Sequence, residues 1–182
     1  EKVFVYNIDT QRLVTSLEGG VIPLLSPDGV HLVYIDYGTS ELKIVDVYDP
    51  SRASQTLGTV SKIPEPAKLQ GLGARGTIDH SGAWHNTVFS PDGAYLAYHA
   101  AWNSNTGANA AMLYDVQSDT IRELSPWIST FVFTGPDKLL VNDRWWNLSL
   151  NTVKQLQLPS GFVPYCATDR RIYSLDLPLV LR

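Results

Sequence analysis

Val88-Phe89-Ser90-Pro91-Asp92-Gly93-Ala94-Tyr95-Leu96-Ala97-Tyr98 reads as a reverse turn set between two apolar runs. Proline pre-sets φ at the first corner, aspartate bonds back to the backbone, and glycine takes the left-handed conformation. The stretch predicts a β-hairpin, and it recurs. Ser26-Pro27-Asp28-Gly29 lies between apolar runs at 21–25 and 32–35, and Gly135-Pro136-Asp137-Lys138 between runs at 131–134 and 139–141. The turn aspartates at 28, 92 and 137 stand 64 and 45 residues apart. A hairpin returning at such intervals describes small sheets stacked in succession, not one sandwich.

The bulk properties agree with a globular chain. It has 182 residues, 44% hydrophobic and 18% charged, enough for a sizeable core. A formal net charge of −4, with no basic cluster beyond Arg170-Arg171, argues against nucleic-acid binding. No apolar run approaches the length of a membrane span. The single Cys166 excludes an internal disulfide and a cysteine-based zinc site. A start at Glu1 instead of Met suggests a mature product or a piece of something longer.

Read in order, the chain divides into units at about 1–17, 21–60, 83–124, 128–158 and 161–182, treated as one domain. Residues 61–82 break the rhythm: Pro64, Pro66, Gly71, Gly73, Gly76 and Gly82 mark a long loop. A second mark repeats, an Asp or Asn between apolar residues: Tyr6-Asn7-Ile8, Val45-Asp46-Val47, Tyr114-Asp115-Val116, Trp146-Asn147-Leu148 and Leu175-Asp176-Leu177. Each ends a third strand, where a short polar side chain can bond the turn backbone, so hairpin termination explains it. Polarity also grades across a unit. First and second strands are nearly all apolar, whereas a fourth strand such as 153–158 alternates. Radially packed sheets bury inner strands on both faces and leave the outermost half wet, which is the pattern of a β-propeller.

The Ser-Pro-Asp-Gly turn, the aliphatic-aromatic strand after it and the apolar-Asp-apolar triplet resemble the WD40-like repeat of TolB-type β-propellers. The likeness spans about 1–60 and 83–177, and is sharpest in the second and third units. The Gly-His and Trp-Asp pairs of true WD40 repeats are absent, and Gly135 and Lys138 stand where Ser and Gly would be. The resemblance implies an all-β propeller of about four four-stranded blades that binds proteins or ligands, or that caps the catalytic domain of a peptidase. Together with the missing initiator Met, it points to an extracytoplasmic location.

Two readings of the tail stay open. If 161–167 and 171–177 are inner strands, they complete the blade begun by 1–17, giving sixteen strands in a closed ring. If 172–177 is a third strand, the ring is open or partial and its exposed edges invite self-association or another partner.

Topology then limits the site. Turns between first and second strands share a face with those between third and fourth, and they are short. The long loops 61–82 and 100–109 fall on the opposite face, where binding normally resides. Arg75, His80, Trp84, His85, His99, Trp102, Asn103, Asn105, Asp143, Arg144 and Arg170 map to that face as candidate binding residues. Blade packing competes as an explanation for Trp84, Trp145 and Trp146.

No nucleophile elbow, phosphate loop, zincin motif or EF-hand loop occurs, and Asp79, His80 and His85 match no standard ligand spacing. The expectation is therefore no catalytic residue, no metal and no cofactor. Asn147-Leu148-Ser149 is a glycosylation sequon, but one set in a strand. The leading reading is a non-enzymatic propeller that binds a protein or peptide through the long-loop face or exposed blade edges. The alternatives are the propeller portion of a peptidase-like hydrolase, or a glycan-binding propeller using Trp102 and its asparagines.

Overall fold

The computed structural model describes residues 2–49, 53–59, 87–101, 109–126, 131–158, 164–167 and 172–174. Every regular element among them is a strand. β1 (Lys2–Asn7) pairs with β2 (Arg12–Glu18). β3 (Gly20–Leu25), β4 (His31–Asp36), β5 (Glu41–Asp46) and β6 (Gln55–Thr59) form a four-stranded antiparallel blade. β7 (Val88–Phe89), β8 (Tyr95–Ala101), β9 (Asn109–Asp115) and β10 (Thr120–Ser125) form the next. β11 (Phe131–Gly135), β12 (Lys138–Val141), β13 (Arg144–Asn147) and β14 (Thr152–Gln155) form a third. β15 (Pro164–Ala167) pairs with β16 (Ile172–Ser174). One residue pair, Thr59 with Ala101, joins the first two blades edge to edge. Among the described residues no strand pairing links β15–β16 to β1–β2, which agrees with an open or partial ring.

The two recurring marks of the sequence pin each blade. In the first blade the buried Ser26 is the hub of its turn. Its hydroxyl donates to Asp28 Oδ1 and accepts the His31 N–H at 2.8 Å, while Asp28 Oδ1 accepts the Val30 N–H at 3.0 Å. Ser90 repeats this, donating to Asp92 Oδ1 at 2.6 Å and accepting the Tyr95 N–H at 2.9 Å, while Asp92 Oδ1 accepts the Ala94 N–H at 3.2 Å. Gly93 has φ 77°, and a Cβ there would lie 3.2 Å from Asp28 Oδ2, so glycine is needed both for the conformation and for the approach of neighbouring turns. The third turn departs as its sequence does. Without the serine, Asp137 accepts instead from Ser149 Oγ of the β13–β14 turn at 2.6 Å.

The apolar-Asp-apolar triplets end third strands as expected. Asn7, Asp46, Asp115 and Asn147 each accept backbone N–H groups of their own turns. Asp176 lies outside the described residues. The following residue latches the blade: Val47 donates to Val30 O at 2.9 Å, Val116 to Ala94 O at 3.0 Å and Leu148 to Asp137 O at 2.7 Å. Four places after Asn7, Asp115 and Asn147 the chain turns left-handed at Gln11, Asp119 and Asn151, with φ between 50° and 57°.

Alternate residues of the inner strands face different neighbours. Val33, Ile35, Leu42, Ile44 and Leu57 meet Phe89, Leu96, Tyr98 and Met112 of the second blade. Leu32, Tyr34, Val45 and Val47 pack on Val3, Val5 and Leu17 of β1–β2. Ala97, Ala111 and Leu113 turn the other way, onto Phe131, Leu139 and Val141 of the third blade. Each of the larger aliphatic and phenylalanine side chains contributes roughly 1.5–3 kcal/mol by leaving water, the alanines less. Tyr98 also reaches across the first interface, its hydroxyl donating to Leu57 O at 2.9 Å. Burial foremost, then the neighbouring Tyr114, pushes that phenol well above its ordinary ionisation range, so it stays a donor.

Ser90→Ala removes an acceptor and a donor inside the fold and is expected to cost about 1–3 kcal/mol in urea unfolding. A loss below the error of the method contradicts the role given to this hydroxyl. Asp28 is held below its ordinary 3.8, first by the Ser26 hydroxyl, against a smaller opposing effect of burial. Its stabilisation is therefore full above pH 3.8 and is lost as pH falls through the lowered value. Asp28→Asn is expected to flatten that acid limb in thermal melts, and an unchanged limb refutes the assignment.

Candidate functional site

The scaffold has two faces. The turns of β3–β4, β7–β8 and β11–β12 lie on one, with those of β1–β2, β5–β6, β9–β10 and β13–β14. The β4–β5 and β12–β13 turns lie on the other. Of the residues expected on this second face, His99, Asp143 and Arg144 are described. Arg75, His80, Trp84, His85, Trp102, Asn103, Asn105 and Arg170 lie outside the described residues.

The three occupy different surroundings. His99, in β8, is 2% exposed, its ring centroid 4.6 Å from that of Phe131 across the second blade interface. Asp143 follows Asn142, whose φ is 53°, in the two-residue turn between β12 and β13. Its carbonyl accepts the Leu156 N–H at 2.7 Å and its carboxylate accepts from Gln155 Nε2. Arg144 is exposed at the start of β13. The structure thus places Asp143 and Arg144 side by side at the surface and His99 in the interior. Among the described residues no group of three His, Cys, Asp or Glu side chains is placed to hold a metal ion.

The described residues also form a cleft that the sequence reading did not anticipate, on the short-turn face. It encloses about 390 Å³ between the first and second blades, with Ile44, Val45, Ala53 and Val116 as apolar wall. Its polar groups are His31, Asp46, Gln55, Tyr114, Gln117 and Asp119. Tyr114 Oη lies 2.8 Å from the Gln55 amide and 2.9 Å from Asp119 Oδ1. One hydroxyl proton cannot serve two acceptors. Gln55 Oε1 is the atom facing the hydroxyl; turning that amide lets its N–H donate to Tyr114 Oη while Tyr114 donates to Asp119, and leaves the amide oxygen as an acceptor. His31 Nδ1 is buried and has no hydrogen-bond partner among the described residues. The lining is rich in acceptors and acidic. Aligning the units on their third-strand Asp or Asn brings Tyr114 and Asp119 forward, at the places one before and four after it.

Similarity to solved structures follows this geometry. The chain is similar to the β-propeller domain of the trilobed protease from Pyrococcus furiosus, which has an open velcro topology. The TM-score is 0.56 at 14% identity, over 94% of this chain and 54% of that one. The fold is a β-propeller. The propeller also matches acylaminoacyl peptidase from Pyrococcus horikoshii with TM-score 0.56 at 13% identity, over 94% of this chain and 30% of that one. TolB from Acinetobacter baumannii matches with TM-score 0.41 at 15% identity, over 88% of this chain and 39% of that one. No protein-family model matches the chain, and no curated protein matches it in sequence. The propeller described here therefore spans about half or less of the length of these structures.

His99→Ala, which empties an interior position, is expected to cost about 2–4 kcal/mol in urea unfolding. Arg144→Ala, at the surface, is expected to change stability by no more than about 0.5 kcal/mol. Equal effects overturn the distinction between the two positions.

Proposed function

We propose that this propeller is a binding module for a protein or peptide, engaged through the long-loop face or through an exposed blade face. The observation that carries the reading is an apolar surface that no described residue covers, on the outer side of β1–β2. Phe4, Tyr6 and Leu13 alternate with the inward Val3, Val5 and Val14 and stand about half exposed, and Ile8 beside them is 90% exposed. Inner blades of the stack bury both faces, so a free one of this composition fits a partner surface. Arg75, Trp102 and Asn103, assigned to the same face from the sequence, would add to Arg144 the aromatic and arginine anchors that interfaces favour.

A second reading is favoured by the likeness in fold to the propellers of the trilobed protease and acylaminoacyl peptidase. In it the blades belong to a larger peptidase-like hydrolase and act on its substrates or its catalytic domain without chemistry of their own. Both readings make recognition the task of the blades.

Panning a random peptide library against the immobilised chain is the test. Enriched peptides are expected to bind the parent and to weaken at least tenfold on Phe4→Ser with Tyr6→Ser, or on Trp102→Ala with Arg75→Ala. Peptides that ignore both pairs of substitutions, or no enrichment at all, overturn the proposal.

A further inference from the structure

We propose that the cleft between the first and second blades binds an arginine side chain of a protein or peptide partner. The molecule contains its own precedent one blade further on. There Arg122, on outer strand β10, donates from Nη1 to Asn151 Oδ1 at 2.7 Å, and its guanidinium carbon lies 5.6 Å from the centre of the Trp146 ring. A guanidinium thus bridges the outer strand of one blade to the third strand and last turn of the next.

Register shows that the first interface is built from the equivalent positions. Arg122 pairs with Leu113, two residues before Asp115, and Gln55 pairs with Ile44, two residues before Asp46. Gln55 therefore holds in the first blade the place that Arg122 holds in the second. Tyr114 and Trp146 each precede the third-strand Asp or Asn, and Asp119 and Asn151 each follow it by four, both with positive φ. Three positions correspond, and each has changed in one direction. The arginine has become a shorter, neutral glutamine, the indole a phenol whose hydroxyl meets both polar neighbours, and the neutral asparagine a carboxylate.

The chemistry of the first cleft suits a guanidinium supplied from outside. Asp119 and Asp46 add two carboxylates, with Asp46 Oδ1 occupied by its own turn amides. With its amide turned so that the N–H meets Tyr114, Gln55 offers its oxygen as a further acceptor. A guanidinium offers five donors in a fixed fork and no acceptor, the complement of this lining. Ile44 and Val116 provide apolar wall for the methylene stem. A volume of about 390 Å³ lies within the range of roughly 300–1,000 Å³ usual for ligand clefts. The site lies on the short-turn face, opposite the β4–β5 and β12–β13 turns, so it is independent of the recognition surface proposed above.

The fold itself tolerates the substitutions that test it. Asn stands natively at 151, the counterpart of Asp119, and at 147, the counterpart of Asp46. The experiment titrates acetyl-arginine methylamide, and its neutral isostere acetyl-citrulline methylamide, into the isotope-labelled full chain at physiological salt, following backbone amide shifts. The arginine probe is expected to move Gln55, Val116, Gln117 and Asp119, with at least tenfold weaker binding of citrulline. Asp119→Asn is expected to weaken the arginine probe at least fivefold. Gln55→Arg, which supplies the missing guanidinium from the chain, is expected to abolish probe binding and raise the melting temperature. Equal affinity for the two probes, shifts confined to other residues, or unchanged binding in both variants overturns the site.

Discussion

A strand buried on both sides must satisfy two different neighbours at once, and the structure rests on that constraint. In β4 the residues Val33 and Ile35 belong to the interface with the second blade, whereas Leu32 and Tyr34 belong to the packing on β1–β2. In β8, Leu96 and Tyr98 face the first blade while Ala97 faces the third. A slip of one residue in either strand would exchange the two sets and ruin both interfaces. The sizes differ with the side: small Ala97 and Ala111 are matched by large Phe131, so a reversed register also mismatches volume.

Turn chemistry is what holds the register against that slip. Ser26 and Ser90 each take up a backbone N–H across the turn and direct their aspartate to a second one. The third-strand Asp or Asn closes the neighbouring turn, and the next residue ties the two turns of a blade together. Local hydrogen bonds thereby fix which side chains meet across blades whose turns stand 64 and 45 residues apart. The same turns bring Asp28 against Gly93, so the short-turn face is ordered by contacts between blades as well as within them.

Much of this was legible in the residues. Pro-Asp with Gly announced the turns at 26–29 and 90–93, and Gly135-Pro136-Asp137-Lys138 announced a third, whose different hydrogen bonds go with the missing serine. The polarity gradient across each unit announced blades instead of a sandwich, because burial on two faces removes the alternation that one-sided strands show. The serine hub was less visible, since serine before proline is common in any turn. Left-handed residues at Gln11, Asp119 and Asn151 gave no signal, because their conformation follows from turn length and not from glycine. The cleft was illegible for a related reason. Gln55, Tyr114 and Asp119 converge only once blades stack; aligning the units brings Tyr114 and Asp119 forward, but nothing in the sequence ties Gln55 to them.

The functional reading follows from the same architecture. Stacked blades leave recognition to their outer surfaces, and those proposed here are an apolar end face, a long-loop face and an acidic cleft between blades. All three presuppose that consecutive sheets cover opposite sides of the one between them. Nuclear Overhauser contacts of two adjacent β8 residues examine this directly. Cross-peaks from the Tyr98 ring should reach methyls of the first blade such as Leu42 and Leu57, and those from the Ala97 methyl should reach Phe131 or Leu139 of the third. Contacts from both residues to a single sheet would mean two facing layers and would contradict the stacked arrangement.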